Sequence, residues 1–284
     1  MNIAQFKDIH QFKINTHPLL LEKESENNLP LGILGELSNN PSRYHHQETL
    51  LTVEENSQPH YLTMRTPPHL WILPSVSGVS REAIKVLADY LYKNGQDVPG
   101  VLGAAHIVNW FVEEWTKRTG RRAELHMKQA IYELEQVNKE KKGDGKLAVA
   151  KSSDLNWISE WFEQFYKEAQ ELSQVPYAKQ TAKRLLDAQK VYVYQVNGKN
   201  VSMVCHSRST INGATINGVF TPDQYKRKGY ATSAVTQLSE KLLKEDKKFC
   251  SLYTDLSNPT SNSIYTKIGY KQVGESLVYH FLEG

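Results

Sequence analysis

Cysteine is scarce in this chain, with Cys205 and Cys250 the two among 284 residues. So few exclude a disulfide framework, and their distance apart excludes the close Cys pairs of a zinc finger or ribbon. Each stands inside an apolar, strand-like run, which reads as a buried free thiol in a reducing compartment. Long hydrophobic runs are missing too, and the N-terminal eight residues contain no signal-peptide core. A cytoplasmic protein with no membrane partner is expected. Charge of one sign is also lacking. A net +3 is small for a nucleic-acid binder, which needs a broad Lys/Arg face and aromatic stacking platforms, so no nucleic-acid partner is expected. What is present is ordinary for a globular protein: 39% hydrophobic and 10% aromatic residues, on a chain long enough for two domains.

The expected boundary is the charged stretch Asn138-Lys139-Glu140-Lys141-Lys142-Gly143-Asp144-Gly145-Lys146, whose lysines and paired glycines read as a linker. It separates a domain over 1–140 from one over 146–284. In the second, a short strand over 147–150 precedes a helix capped by Ser153 or Asp154, with Trp157, Ile158, Trp161, Phe162, Phe165 and Tyr166 at helical spacing. A second helix follows over 179–188. Asn197-Gly198, a strong hairpin dipeptide, joins strands over 191–196 and 201–208. Strands over 214–220 and 249–256 flank a helix with Ala231, Val235, Leu238 and Leu242 on one face. A short helix from Asn258-Pro259 to Ile268 stops at Gly269, and a final pair of strands is expected after it. The order predicts an α/β (α+β) fold with a mixed, mostly antiparallel sheet flanked by helices.

Chemistry concentrates between the strand over 214–220 and the helix behind it. The loop Thr221-Pro222-Asp223-Gln224-Tyr225-Lys226-Arg227-Lys228-Gly229-Tyr230-Ala231-Thr232 is basic and carries a glycine just before the helix. First-turn N–H groups have no partners within a helix, and the helix dipole favours an anion beside them. Gly229 and Ala231 leave room for that anion, and Arg227 and Lys228 add charge. The same basic run could also be a solvated turn; the glycine and the helix behind it favour the phosphate role.

Lys226-Arg227-Lys228-Gly229-Tyr230-Ala231 resembles the Arg/Gln-x-x-Gly-x-Gly/Ala phosphate loop of GNAT-type N-acetyltransferases, with Lys at the first position a departure from the pattern. Asn258-Pro259 followed by Tyr265 is similar to a second element of that family. The resemblance covers residues 146 to 284. It implies acetyl-CoA as cofactor and direct acetyl transfer to a primary amine of a small molecule or peptide. It also implies two adjacent parallel strands that splay, with the pantetheine arm against Val219, Phe220 and Thr221, and the pyrophosphate on Arg227, Lys228, Gly229, Tyr230, Ala231 and Thr232. Tyr265 is then the general acid, its pKa near 10 matched to a thiol leaving group. Asn258 is a ligand of the cofactor arm, the cap of the following helix, or both.

Rival readings stand beside these. Tyr265 could be a packing residue, though the Asn-Pro context favours catalysis. Asp255 reads as a strand-end carboxylate before a general base, and His206 as structural before a relay. The strand over 214–220 has no Asp or Glu, so the amine's proton leaves through water or the amine arrives neutral. No cysteine is placed to carry the acetyl group. A non-catalytic CoA-binding module is the alternative to an enzyme, and a homodimer is admitted.

The first half has a similar order: a helix over 18–37, strands over 48–54, 60–65 and 69–73, helices over 80–93 and 104–118, and a last strand-like segment over 123–137. After Leu73 the loop has no basic residue before its helix. The expectation is a degenerate GNAT-like domain without a cofactor site. The glycines between Gly95 and Gly103 read as a turn, Trp110 and Trp115 as core, and Tyr44-His45-His46 as surface, with no third ligand to make a metal site.

Overall fold

A computed structural model describes residues 1–39, 48–138 and 143–282. Tyr44, His45 and His46 lie outside the described residues. Among the described residues no helix is long and apolar enough to cross a membrane. The chain forms two compact units. The first comprises Met1–Ile131, Thr254–Asn258 and Gln272–Gly284; the second comprises Tyr132–Tyr253 and Pro259–Lys271.

In the first unit β1 (Asn2–Phe6) precedes α1 (Ile9–Leu21) and α2 (Asn28–Asn39), and the strands β2 (Thr49–Glu55), β3 (Gln58–Arg65) and β4 (Trp71–Leu73) follow. α3 (Arg81–Lys93), β5 (Gly100–Ala104) and α4 (Ala105–Thr119) come next. β1, β2, β3 and β4 pair antiparallel in that order, and β4 pairs parallel with β5. Asn56 and Ser57 link β2 to β3, both at positive φ (51° and 62°), the twist that a two-residue hairpin needs. Leu20, Leu34, Leu50, Leu62, Leu87 and Phe111 are among the buried residues of its core.

Three expectations change here. The helix expected over 18–37 is two helices, because the chain between them turns inward at Asn27. The Asn27 amide donates to the Leu20 carbonyl (3.0 Å) and the Ser75 carbonyl (2.7 Å) and accepts from the Ser75 N–H (2.9 Å). A long-range polar anchor thus divides the helix within the polar stretch over 22–28. The glycines expected to form a turn include those of strand β5. A Cβ at Gly100 would stand 2.2 Å from the Tyr279 carbonyl oxygen, and one at Gly103 1.9 Å from that of Leu73, so close backbone approach explains both. The final pair of strands is one, β12 (Lys271–Leu282). It pairs antiparallel with β5 from Ser276↔Ala104 to His280↔Gly100 and sends Leu277 and Phe281 into the first unit's core. Residues 272–284 therefore go with the first unit, not with the 146–284 segment.

β6 (Arg122–Leu134) runs across the boundary at 131/132. The second unit continues with β7 (Lys146–Val149), α5 (Leu155–Glu168), α6 (Ala178–Asp187), β8 (Val191–Val196) and β9 (Lys199–Ser209). β10 (Gly213–Phe220), α7 (Tyr230–Lys244), β11 (Phe249–Asp255) and α8 (Pro259–Ile268) complete it. Strands β7, β8, β9 and β10 pair antiparallel in order, and β10 pairs parallel with β11. This repeats the first unit's pattern. Asn197 and Gly198 make the expected hairpin turn at φ 49° and 74°. Ile158, Phe162, Leu185, Val193, Met203 and Phe220 lie in one buried cluster.

Candidate functional site

The site grows from the end of β10. Its parallel ladder with β11 runs Gly213↔Phe249, Ala214↔Cys250 and Thr215↔Ser251, with no further pair among the described residues. Beyond Thr215, β10 is bent away by irregular pairing with β9: Asn217 faces Cys205 and Phe220 faces Met203. Gly218 takes φ 59° in the bulge, where a Cβ would meet the Cys205 sulfur at 3.2 Å. Val219 and Thr221 are half-buried and Phe220 is buried. Ser202, unmarked by the sequence reading, is fully buried beneath this turn. Its hydroxyl donates to the Phe220 carbonyl (3.0 Å) and accepts from Thr221 Oγ1 (2.9 Å). The Phe220 carbonyl is thereby already engaged within the protein.

The chain then makes a 3-10 turn, Asp223–Tyr225, and enters α7 through two left-handed residues, Arg227 (φ 61°) and Gly229 (φ 76°). Left-handed residues of this kind occur in the backbone turns that bind anions. Gly229 is the N-cap and has no side chain with which to cap the helix. A Cβ built there meets nothing within 4 Å, so the approach to the first turn is open. Arg227 and Lys228 are exposed, and among the described residues neither forms an ion pair. Lys226 differs. Its ammonium lies 2.7 Å from Glu168 Oε1 and 2.7 Å from Asp223 Oδ1. Partial burial lowers its pKa, but hydrogen bonds to the two carboxylates outweigh this and leave it raised. Asp223, three residues before Lys226, was within reach of sequence reasoning as an i,i+3 pair; Glu168, 58 residues away, was not.

Tyr265 sits on α8, which ends in a Schellman arrangement: the Tyr270 N–H donates to the Tyr265 carbonyl and the Gly269 N–H to that of Thr266, with Gly269 at φ 115°. Its ring is buried against Tyr132 (6.2 Å) and Tyr270 (5.9 Å). Burial pushes its phenol up to about 12, a correction to the value near 10 expected from sequence. Among the described residues the hydroxyl has no hydrogen-bond partner. Asn258 is exposed and belongs to the 254–258 stretch grouped with the first unit, its N–H donating to the Asp255 carbonyl (3.1 Å). Asp255 Oδ1 accepts from the Ser257 N–H, a local turn contact. His206 lies on β9 opposite Ile216, its Nε2 2.9 Å from Ser209 Oγ. Burial pushes the Cys205 and Cys250 thiols up to about 12, which keeps both unreactive.

The first unit has the same strand order but different strand ends. There β4 and β5 stay paired through Leu73↔Gly103, and both backbone groups of Ser75 are held by Asn27. The turn before α3 contains no Lys or Arg, and Ser80 Oγ caps that helix by accepting from the Ala83 N–H (3.2 Å).

Residues 196–278 match the family model described as FR47-like protein. Several solved structures match nearly the whole of the chain. An acetyltransferase of the GNAT family from Colwellia psychrerythraea superposes with a TM-score of 0.59 at 11% identity, covering 100% of both chains. The chain carries the GNAT fold. A GCN5-related N-acetyltransferase from Sphaerobacter thermophilus gives a TM-score of 0.61 at 10% identity, over 99% of this chain and 96% of that one. A tandem GNAT protein from the clavulanic acid biosynthesis pathway gives 0.57 at 9% identity, over 99% and 98%. No curated protein matches the sequence. Within the GNAT fold the parting strands, the bulge at Gly218 and the open helix start all occur in the second unit.

Proposed function

We propose that this protein is an acetyl-CoA-dependent N-acetyltransferase, transferring an acetyl group directly to a primary amine of a small molecule or peptide. The observation that carries the proposal is the uncapped start of α7, reached through left-handed Arg227 and Gly229 directly after a strand that parts from its parallel neighbour. These residues fit the proposed cofactor: open space at Gly229, free backbone donors and two uncompensated cations suit a diphosphate. Acetyl-CoA, when bound, supplies an activated acetyl thioester. The N–H groups from Arg227 to Thr232, including Tyr230 and Ala231, would hold the diphosphate together with the Arg227 and Lys228 side chains. Val219 and Thr221 would orient the arm, with Ser202 fixing the turn they belong to.

Tyr265 keeps its proton at Oη across the working pH range, because its pKa is pushed up to about 12. In this role it would donate to the departing sulfur. β10 contains no carboxylate, so the amine's proton leaves through water or is already absent on arrival. The buried, unpaired cysteines favour a reducing, cytoplasmic setting. The packing of Tyr265 between two tyrosines favours a second reading, a CoA-binding module without catalysis. Acetyl-CoA at about 100-fold over its Kd should raise the melting temperature by a few degrees, since binding then stabilises by about 2.7 kcal/mol. Tyr265→Phe should keep that rise and lower turnover at least tenfold against a panel of amines scored by free thiol. A thermal shift with no thiol release from any amine supports the module, and no thermal shift ends both readings.

A further inference from the structure

The first residue of the basic loop is chemically unlike the two that follow. Lys226 is bonded to carboxylates from two directions, Asp223 on its own turn and Glu168 at the end of α5. The turn brings Asp223 within reach because the Lys226 N–H donates to the Asp223 carbonyl (3.2 Å). Glu168 is different in kind: it ties the loop to a distant element. Among the described residues, the Glu168 contact and the Thr221–Ser202 hydrogen bond are the long-range polar tethers of residues 221–229. The next residues, Arg227 and Lys228, have no such compensation. One cation between two carboxylates leaves a net negative group. Were Lys226 to turn toward a diphosphate, both carboxylates would stand uncovered beside more negative charge.

Resting on the reading of this loop as the diphosphate site, we propose that Lys226 is a positioning residue, clamped by Glu168 and Asp223 so that it ties the loop to α5 without binding the cofactor's phosphates. Phosphate binding is left to the N–H groups of the first turn of α7 and to Arg227 and Lys228. The clamp holds the chain just ahead of the left-handed step at Arg227, so that the N–H groups face the anion before it arrives.

Two roles for Lys226 make opposite predictions for Glu168→Gln. A phosphate ligand held back by Glu168 would be released, and CoA would bind more tightly. A clamp would be lost, and CoA should bind about three- to fivefold more weakly, the upper end of the scale of an exposed ion pair. The expected result is that weakening in titration calorimetry with CoA. It should come with a matching rise in KM for acetyl-CoA and an unchanged kcat. Lys226→Gln should weaken binding as much, the double variant no more than either single one, and Lys226→Arg should restore wild-type affinity. Hydrogen exchange without CoA tests the clamp independently: Glu168→Gln should speed exchange of the amides of residues 226–230. Tighter binding in Glu168→Gln, unchanged affinity in it, or unchanged exchange each overturn the proposal. If the wild type fails to bind CoA while exchange quickens as expected, the clamp stands and the reading of the site fails.

Discussion

Gly229 brings together conformation, space and charge. It occupies φ 76°, a region that costs an ordinary L-residue about 1–2 kcal/mol, yet nothing stands within 4 Å of where its Cβ would be. Strain and crowding therefore separate cleanly. Gly229→Asn, which tolerates left-handed backbone, should keep most CoA affinity. Gly229→Glu places a carboxylate at the helix start, where it would take the anion's place and repel the diphosphate. It should fold with a normal circular dichroism spectrum and lose CoA binding at least tenfold in calorimetry. Retained affinity would move the diphosphate away from this loop. Much of this residue-scale chemistry was legible in sequence, because a strand, a basic glycine loop and a helix start are contiguous. Ser202 and Glu168 were not, since a buried serine on one strand and a glutamate at a helix end become relevant only when another part of the chain arrives.

At the scale of elements, the parallel strand pairs differ at their ends. β10 and β11 stop pairing after Thr215↔Ser251, whereas β4 and β5 remain paired through Leu73↔Gly103. Gly103 permits the latter, at φ 145°, with its α-carbon hydrogens against the Leu73 carbonyl. Gly103→Ala would drive a methyl group into backbone on both grounds, so the full chain should lose more than ~2 kcal/mol in urea unfolding. An unchanged midpoint would mean that the strands can part there at little cost. Amphipathic helices such as α7 were readable from spacing alone, since their buried face repeats every turn. The break between α1 and α2 was hidden for the opposite reason. Its cause, the Asn27 side chain, is satisfied by Ser75, 48 residues further along. β5 was hidden because glycine ordinarily signals a turn, and only two close neighbouring backbones make it a requirement.

Across the whole molecule, partly desolvated histidines weaken the fold in acid. Burial, aided by Lys190, pushes His206 down to about 4 from its ordinary 6.5. In the unfolded chain it takes up a proton as pH falls through 6.5, and in the folded protein only near 4. Its contribution is therefore complete above about pH 6.5 and is lost as the pH falls toward 4, up to ~3 kcal/mol. His17, His69, His106 and His280 are lowered as well, each mainly by burial, and act in the same direction. Urea midpoints should fall between pH 7 and pH 4.5, and His206→Gln should reduce that fall. An identical fall in the variant would assign the acid sensitivity to other groups.

By itself the sequence determined the alternation of strands and helices, the Asn197-Gly198 hairpin, and a basic glycine loop ahead of one helix where the corresponding turn of the first half has no Lys or Arg. These are local properties, set by side-chain periodicity and by the backbone preferences of Asn, Gly and Pro over a few residues. Only the tertiary structure decided that the last strand joins β5 in the first unit, that Asn27 splits a helix and that Lys226 is held by Glu168. It also decided that Tyr265 is buried deeply enough to keep its proton to about pH 12. Each of these depends on groups far apart in the chain, and no local pattern records which of them folding will bring together.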